Sequence, residues 1–460
     1  MVNSDAPLEY EIESLDLDAN GIARRDGKVI FVRGALPGER VSAQVVRRKA
    51  SYEVAQTVAV IRASSQRVAP PCPNFGVCGG CSMQHLEERS QLAIKQRVLE
   101  DQLKHLGGMK AHTMLRPIAG VGWRYRYRAR LSVRNVEKKG GVLIGFHERA
   151  SRYVTDMTEC RVLPEHLSDL LVPMRKLIGS LSIKDQTPQI EIAQGEHVLA
   201  LVFRVLRPPS RADSQKLRAF EREHDLEIWL QAKGPDTIVL LERECDVEGE
   251  GEGKSEPSDR EPRKSRLSYS LPEFGIRMPF RPTDFTQVNH LINRVLVKRA
   301  IDLLAPQRGE QIADLFCGLG NFTLPIARLG ADVHGIEGSN ELVNRARANA
   351  LANSLERRCQ FSSRNLFTIT PPQWAALGPF DRLLIDPPRE GAAELVKAII
   401  QTDWFPRRIV YVSCNPATLA RDAAILVHQG PYELSSAGVI NMFPHTSHVE
   451  SMAVFDLKAK

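Results

Sequence analysis

The stretch QIADLFCGLGNFTLPIARLGADVHGIEGS, residues 311–339, decides the fold. An apolar run ends at Leu315, a turn passes through Gly318 and Gly320, a helix begins at Phe322, and a second apolar run ends at Glu337. Strand, glycine turn, helix and strand in that order make a parallel crossover unit. Glycines in the first turn let a ligand approach the main chain, and a carboxylate closing the second strand can accept hydrogen bonds from ribose hydroxyls. A dinucleotide fingerprint needs a third glycine, and Phe322 and Thr323 stand where it would fall, which disfavours NAD.

The same alternation extends from residue 276 to the end, through HLINRVLVKRAIDLL, ELVNRARANA, DRLLID and RIVYVSC. This predicts a Rossmann-like, doubly wound α/β sheet over 276–460, with ligands at the carboxyl ends of its strands. One strand delivers Cys414 to that end, in RIVYVSCNPATLARD. Asn415 and Pro416 stop the strand directly after it, which presents the thiol instead of packing it mid-strand. Glu450, in FPHTSHVESMAVF, is the candidate general base, and His445 and His448 beside it are expected to orient or support.

Upstream, residues 8–64 alternate apolar and polar positions between glycine turns, as in ANGIARRDGKVIFVRGALPGERVSAQVV, and predict a small β-barrel over 1–65. KVIFV reads as a buried strand, and Arg24, Arg25, Arg47, Arg48 and Lys49 could face phosphates. Residues 87–107 predict one amphipathic helix with Ile94, Val98, Leu99, Leu103 and Leu106 on its apolar face. In WRYRYRARLSVR, from Trp123, strand geometry would send Arg124, Arg126, Arg128 and Arg130 to one cationic face and Trp123, Tyr125 and Tyr127 to the other. QIEIA, HVLALVFRVL, LEIWLQA and DTIVLLE complete an α+β middle region, 66–275. Within it the polar run at 246–266 (DVEGEGEGKSEPSDREPRKSR) is too poor in apolar residues to pack and predicts a flexible, dispensable insertion.

A length of 460 residues allows two to four domains, and 43% hydrophobic with 25% charged residues is ordinary globular usage. No apolar run is long enough to span a membrane and the N-terminus lacks a signal-peptide pattern, so a cytoplasmic protein is expected. The net charge of +7 favours a polyanionic partner. Of eight cysteines, Cys72, Cys78 and Cys81 crowd into PPCPNFGVCGGCSMQH, where proline and glycine permit a tight wrap around a metal centre, and Cys160 is the nearest candidate for a fourth ligand. Four thiolates suit zinc and an iron–sulfur cluster equally well by count.

Taken together, DLFCGLGNF, LLIDPPREGA, VYVSCNPATLARD and MFPHTSHVESM resemble the RNA uracil-C5 methyltransferase family, and residues 8–64 resemble the TRAM domain, a small OB-like RNA-binding barrel. With the cysteine cluster, the resemblance narrows to the branch acting on 23S ribosomal RNA. DPPRE departs from it, since a small residue often follows the first proline there. The resemblance implies S-adenosyl-L-methionine (SAM) as methyl donor, Cys414 as nucleophile and Glu450 as proton acceptor. It implies a pocket lined by Gln287, Phe316, Asn321, Glu337, Asn365 and Asp386. It also implies a [4Fe-4S] cluster on Cys72, Cys78, Cys81 and Cys160, and a monomer whose partner is 23S rRNA. Relatives acting on tRNA generally lack the barrel and the cluster. A non-catalytic RNA-binding or chaperone protein would have no need of Cys414, Glu450 and the cofactor turn together.

Overall fold

The computed structural model describes residues 6–16, 18–241 and 265–459. Within them lie three large sheets. The first has six strands, in the spatial order Leu8–Glu11, Arg40–Arg48, Tyr52–Arg62, Lys28–Arg33, Gly21–Arg25 and Ser14–Leu15, around a core that includes Tyr10, Ile12, Ile30, Val32, Val41 and Ala55. KVIFV is half-buried, not fully buried: only Ile30 and Val32 turn inward, because one face of this sheet meets solvent. The basic residues Arg24, Arg25 and Arg48 pair with Glu13, Asp26 and Glu53 at 3.5 Å each, near the surface.

One buried carboxylate ties this sheet to the chain that leaves it. Glu39, fully buried, accepts from the main-chain N–H of Leu36 (2.8 Å) and Ser64 (3.2 Å) and from the Arg67 guanidinium (2.5 and 2.7 Å), which also donates to the Gly34 carbonyl (2.8 Å). Burial alone would raise its pKa, and these donors overcome it, so the carboxyl titrates below its usual range. Its contribution to stability is therefore present above the unfolded-state pKa and lost as pH falls through the folded one. Glu39→Ala strands Arg67 and two amides, and should cost about 3 kcal/mol in urea unfolding. A loss below about 1 kcal/mol would mean that water replaces the carboxylate.

The helix Glu88–His105 matches the expected span, but its buried line is Gln91, Lys95, Leu99 and Leu103, while Leu106 lies exposed. Two polar residues occupy core positions because both find partners in the distant C-terminal loop at 441–449.

The second sheet orders Ile238–Leu240, Leu226–Gln231, Leu199–Arg204, Gln189–Gln194, Arg128–Val136 and Gly141–Gly145, with the helices Glu165–Asp169, Leu171–Ser180 and Arg211–Glu223. Every predicted strand of the middle region is present. The expected strand at Trp123 is a correction: it begins only at Arg128, and Arg124 has φ +57°. Arg128 and Arg130 share a face of that strand, and Arg124 and Arg126 lie before it begins. Arg124 pairs with Glu165 (2.8 Å), Arg130 pairs with Glu191 (2.9 Å), and Arg126 stacks over Phe146. Arg128 donates to the carbonyls of Pro282 (2.8 Å) and Asp284 (2.5 Å). The aromatic residues of the segment reach the C-terminal half instead: Trp123 stacks on His445 and Tyr127 on His290. The polar run at 246–266 lies outside the described residues up to residue 264. Ser265 and the main chain of Arg266 are held by the buried Glu227.

The third sheet has eight strands, ordered Cys359–Ser363, Asp332–Glu337, Gln311–Leu315, Arg382–Ile385, Arg408–Ser413, Glu450–Leu457, Tyr432–Ile440 and Thr113–Met114. The first five are mutually parallel, and Glu450–Leu457 inserts antiparallel between Arg408–Ser413 and Tyr432–Ile440. Strand order reverses at Gln311–Leu315, and ligands of doubly wound sheets bind outside the carboxyl ends at such a switch point. Among the described residues no helix is long and apolar enough to cross a membrane.

Candidate active site and cysteine cluster

The turn after Gln311–Leu315 carries three residues in the left-handed region, Phe316 (φ +64°), Gly318 (+54°) and Gly320 (+97°). Glycine bears this freely, whereas for a phenylalanine it costs about 1 kcal/mol or more. The strain is held because the N–H groups of Phe316 (2.8 Å) and Cys317 (3.1 Å) both donate to the Ile336 carbonyl. The turn is thereby fastened to the strand that ends in Glu337. Glu337 accepts from the N–H of Gly318 (3.1 Å) and of Ser339 (3.0 Å), which aims its carboxylate along the rim of the turn. Beneath it, buried Asp314 accepts from the Thr323 hydroxyl (2.5 Å), its other oxygen has no partner among the described residues, and desolvation pushes its pKa up to about 7.

The remaining expected pocket residues have distinct surroundings. The Asn321 amide exchanges hydrogen bonds with Asn293 (3.0 and 3.1 Å) and accepts from the Tyr269 hydroxyl (2.9 Å), so its side chain fixes the turn against the helix His290–Leu304. Gln287 is half-buried, two residues before Asn289, the N-cap of that helix. Asn365 accepts from the N–H of Phe367 (3.0 Å) in an exposed loop, and Phe367 packs on Phe316. Asp386 follows Arg382–Ile385, donates its N–H to the Leu315 carbonyl (3.1 Å), and is pushed up to about 7 by desolvation.

Cys414 leaves Arg408–Ser413 at its carboxyl end. Asn415 then caps the helix Pro416–Ala424 by accepting from the Ala417 N–H (3.1 Å), with Pro416 in the first turn, where its missing N–H costs nothing. The ladder between Arg408–Ser413 and Glu450–Leu457 pairs Arg408 with Asp456 and Ser413 with Ser451. The ladder ends there; Cys414 and Glu450 are the next residues of the two chains, and the Glu450 charge acts on the thiol. The two catalytic candidates are thus neighbours at the end of that ladder.

Burial pushes the Cys414 thiol up to about 11, with the Glu450 and Asp386 charges adding to the rise and Arg389 opposing it. Glu450 is 3% exposed, and desolvation first, then Asp386, pushes its carboxyl up to about 8. A carboxyl whose folded pKa exceeds its unfolded value holds a proton that the unfolded chain has released. Stability is then lost as pH rises from the ordinary carboxyl range through about 8. Glu450→Gln removes that penalty, so its thermal midpoint should gain on wild type progressively from about pH 5 to about pH 9. Parallel curves over that range would show that Glu450 is ionised in the folded protein.

Cys72, Cys78, Cys81 and Cys160 line one small cavity together with Asn74, Phe75, Gln84, Phe146 and Met157. Burial raises the Cys81 thiol to about 12 and that of Cys160 to about 11, and the neighbouring cysteines push in the same direction. A Cβ on Gly79 would come within 2.8 Å of the His147 carbonyl, so the close wrap requires glycine there. Among the described residues no three His, Cys, Asp or Glu side chains converge on a point that would hold a single metal ion.

Sequence reasoning overlooked three residues here. Arg389 Nη2 lies 3.1 Å from His448 Nδ1 and its charge acts on both Cys414 and Glu450. Phe285, two positions before Gln287, is 72% exposed, which suits base stacking. Lys95 is buried on the helix Glu88–His105, where a lysine looks like surface. An arginine directly after the paired prolines was the one signal available in advance.

Comparison with known proteins accords with this geometry. The tRNA (Uracil-5-)-methyltransferase family profile matches residues 270–364 and 376–458, and the TRAM domain profile matches residues 8–56. The chain is 57% identical to the 23S rRNA (uracil(1939)-C(5))-methyltransferase RlmD of Cupriavidus metallidurans, covering 97% of this chain and 94% of that protein. It is 58% identical to the protein of the same name from Cupriavidus necator, covering 97% and 99%. Among solved structures, the Pyrococcus abyssi tRNA (uracil-54, C5)-methyltransferase in complex with S-adenosyl-L-homocysteine superposes with a TM-score of 0.71. It is 24% identical, over 97% of this chain and all of that one, and shares the fold. With more than half its residues shared across nearly the full length of such relatives, the chain belongs to the RNA uracil-C5 methyltransferase family.

Proposed function

We propose that this chain transfers a methyl group from SAM to C5 of a uridine in 23S ribosomal RNA, the one equivalent to uracil 1939 of its named relatives. The observation that carries the reading is the meeting of Cys414, which follows Arg408–Ser413, with Glu450, which opens the neighbouring strand, at the carboxyl edge of the sheet, two strands from the strained glycine turn. C5 of uracil is too poor a nucleophile to take the methyl group unaided. The Cys414 thiolate adds to C6, and the C5–C6 electron pair moves onto C5 and the adjoining carbonyl as an enolate. C5 then attacks the sulfonium methyl and S-adenosyl-L-homocysteine departs. Glu450 removes the C5 proton, the C5–C6 double bond re-forms, and the thiolate is expelled.

Burial pushes the Cys414 thiol up to about 11, so its ionisation needs a favouring group in the site. Arg389, whose charge already opposes the rise, is the group suited to that. Glu337 would take the ribose of SAM, with Gly318, Phe316 and Asp386 around the rest. Gln287, Asn321 and Asn365 would shape the pocket, Asn321 through its bonds to Asn293 and Tyr269.

Cys72, Cys78, Cys81 and Cys160 would hold a [4Fe-4S] cluster. In such a cluster each thiolate binds a different iron, so the sulfurs surround a volume without converging on a point. Zinc would draw all four to about 2.3 Å of one centre. The shared cavity suits ligation by all four cysteines, and the family resemblance favours the cluster over zinc. Bound there, it would brace the middle region chemically. We read the chain as three units, 1–65, 66–275 and 276–460, acting as a cytoplasmic monomer on RNA.

Incubation with SAM and a 23S fragment containing 5-fluorouridine tests the reading. A carbon-bound fluorine cannot leave as a proton, so a covalent complex stable on a denaturing gel is expected. Its absence, with RNA and SAM both bound, would refute covalent catalysis. Loss of 5-methyluridine at the equivalent position in rRNA from a deletion strain tests the target.

A further inference from the structure

We propose that Ser82 and Gln91 are positioning residues for Glu450: the cysteine-rich segment and the helix behind it hold the loop that presents the base. The proposal rests on the reading of Glu450 as proton acceptor and extends it to residues far upstream.

Residues 441–449 connect Tyr432–Ile440 to the strand that Glu450 opens. At the centre of this loop His445 has φ +63°, a conformation a β-carbon disfavours unless its surroundings enforce it. They do. Its N–H donates to Gln91 Oε1 (2.8 Å), and its carbonyl accepts from the N–H groups of Ser82 (2.9 Å) and Met83 (3.0 Å). Its ring lies 3.1 Å from Gln91 Nε2 and stacks on Trp123 with centroids 3.7 Å apart. Just before it, the carbonyls of Phe443 and Pro444 accept from Lys95 Nζ (2.9 Å) and the Tyr125 hydroxyl (2.8 Å). The N–H of Ser447 donates to Ser82 Oγ (2.9 Å).

Gln91 completes the frame by donating to the carbonyls of Met83 (3.1 Å) and Leu86 (2.8 Å), so one buried amide joins the cysteine segment to the loop. Ser82 directly follows Cys81, whose carbonyl is held by Arg149 (2.6 Å). Anchors at Phe443, Pro444, His445 and Ser447, all from the N-terminal half, end three residues before Glu450. Strand pairing with Ile440 fixes the Glu450 main chain, and the anchored loop fixes how the chain enters that strand. Proton removal needs the carboxylate in place to a fraction of an ångström, and a misplacement near 1 Å can cost about a hundredfold.

Ser82→Ala removes one hydroxyl and leaves every cysteine intact, Ser82→Thr restores the hydroxyl, and Gln91→Met cuts the buried amide's bonds. These variants, wild type and Glu450→Gln are to be incubated with unmodified 23S fragment and labelled SAM, reading turnover and covalent adduct separately. Ser82→Ala should lose about tenfold in turnover while methylated adduct accumulates as in Glu450→Gln, Ser82→Thr should recover, and Gln91→Met should lose more. SAM affinity and visible absorption should stay at wild-type levels in Ser82→Ala. Turnover and adduct formation falling together would mean a role in folding only and overturn the proposal, as would unchanged turnover. Adduct in Glu450→Gln but in neither Ser82→Ala nor Gln91→Met would overturn the positioning role alone. No adduct in Glu450→Gln would overturn the reading beneath it.

Discussion

Cys414→Ala should abolish methylation and every covalent RNA complex while SAM still binds, whereas Glu450→Gln should accumulate a methylated adduct on ordinary RNA. The two residues serve different steps of one reaction. Without the thiolate no carbanion forms at C5, so nothing downstream can occur. With glutamine at 450 the thiolate can still add and the methyl can still transfer, but the C5 proton has no acceptor and the thiolate cannot leave. Turnover of Glu450→Gln should fall by about 10²- to 10⁴-fold, the usual range for a lost general base. Removing a carboxyl beside the thiol also removes one cause of its raised pKa, so adduct formation itself should shift to lower pH than in wild type. The measurement is a denaturing gel with labelled SAM. Full methylation by Cys414→Ala would end the covalent mechanism, and a well-folded Glu450→Gln without adduct would move the base to His448 or Asp386.

Cys72→Ser or Cys160→Ser should cost the purified protein its brown colour, its iron and much of its RNA affinity. A hydroxyl is a harder and far more weakly acidic donor than a thiol and does not replace it on iron. Purified without oxygen, wild type should carry about four irons per chain. The four cysteines sit in a wrap that depends on Gly79 and on the burial of Cys78 and Cys160. Without the cluster, the remaining sulfur groups would face an unfilled cavity, so the loss should also lower the thermal midpoint. Stoichiometric zinc with no visible absorption would overturn the assignment.

Much of this molecule was legible in local patterns. The α/β alternation, the glycine turn ending on Glu337, the strand that stops at Cys414 and the crowding of Cys72, Cys78 and Cys81 all lie within short windows. Periodicity and punctuation carry such information because they reflect a segment's own burial and backbone freedom. The same logic failed at WRYRY. Alternation there suggested a strand, but stacking of Trp123 on His445 and of Tyr127 on His290 fixed the chain in another conformation. It failed again on the helix Glu88–His105, where Gln91 and Lys95 looked like surface and proved to be core.

By itself, then, the sequence determined most of the strands and helices, where the glycine turn falls, and which residues are candidates for the chemistry. Only the tertiary structure decided that Glu450 comes beside Cys414, because that depends on the last strand inserting antiparallel beside Arg408–Ser413. It alone decided that the loop before Glu450 is held by Ser82, Gln91, Lys95 and Tyr125. A buried polar side chain is stable only when its hydrogen bonds are met. The partners that meet them here lie hundreds of residues away, beyond the reach of any local pattern.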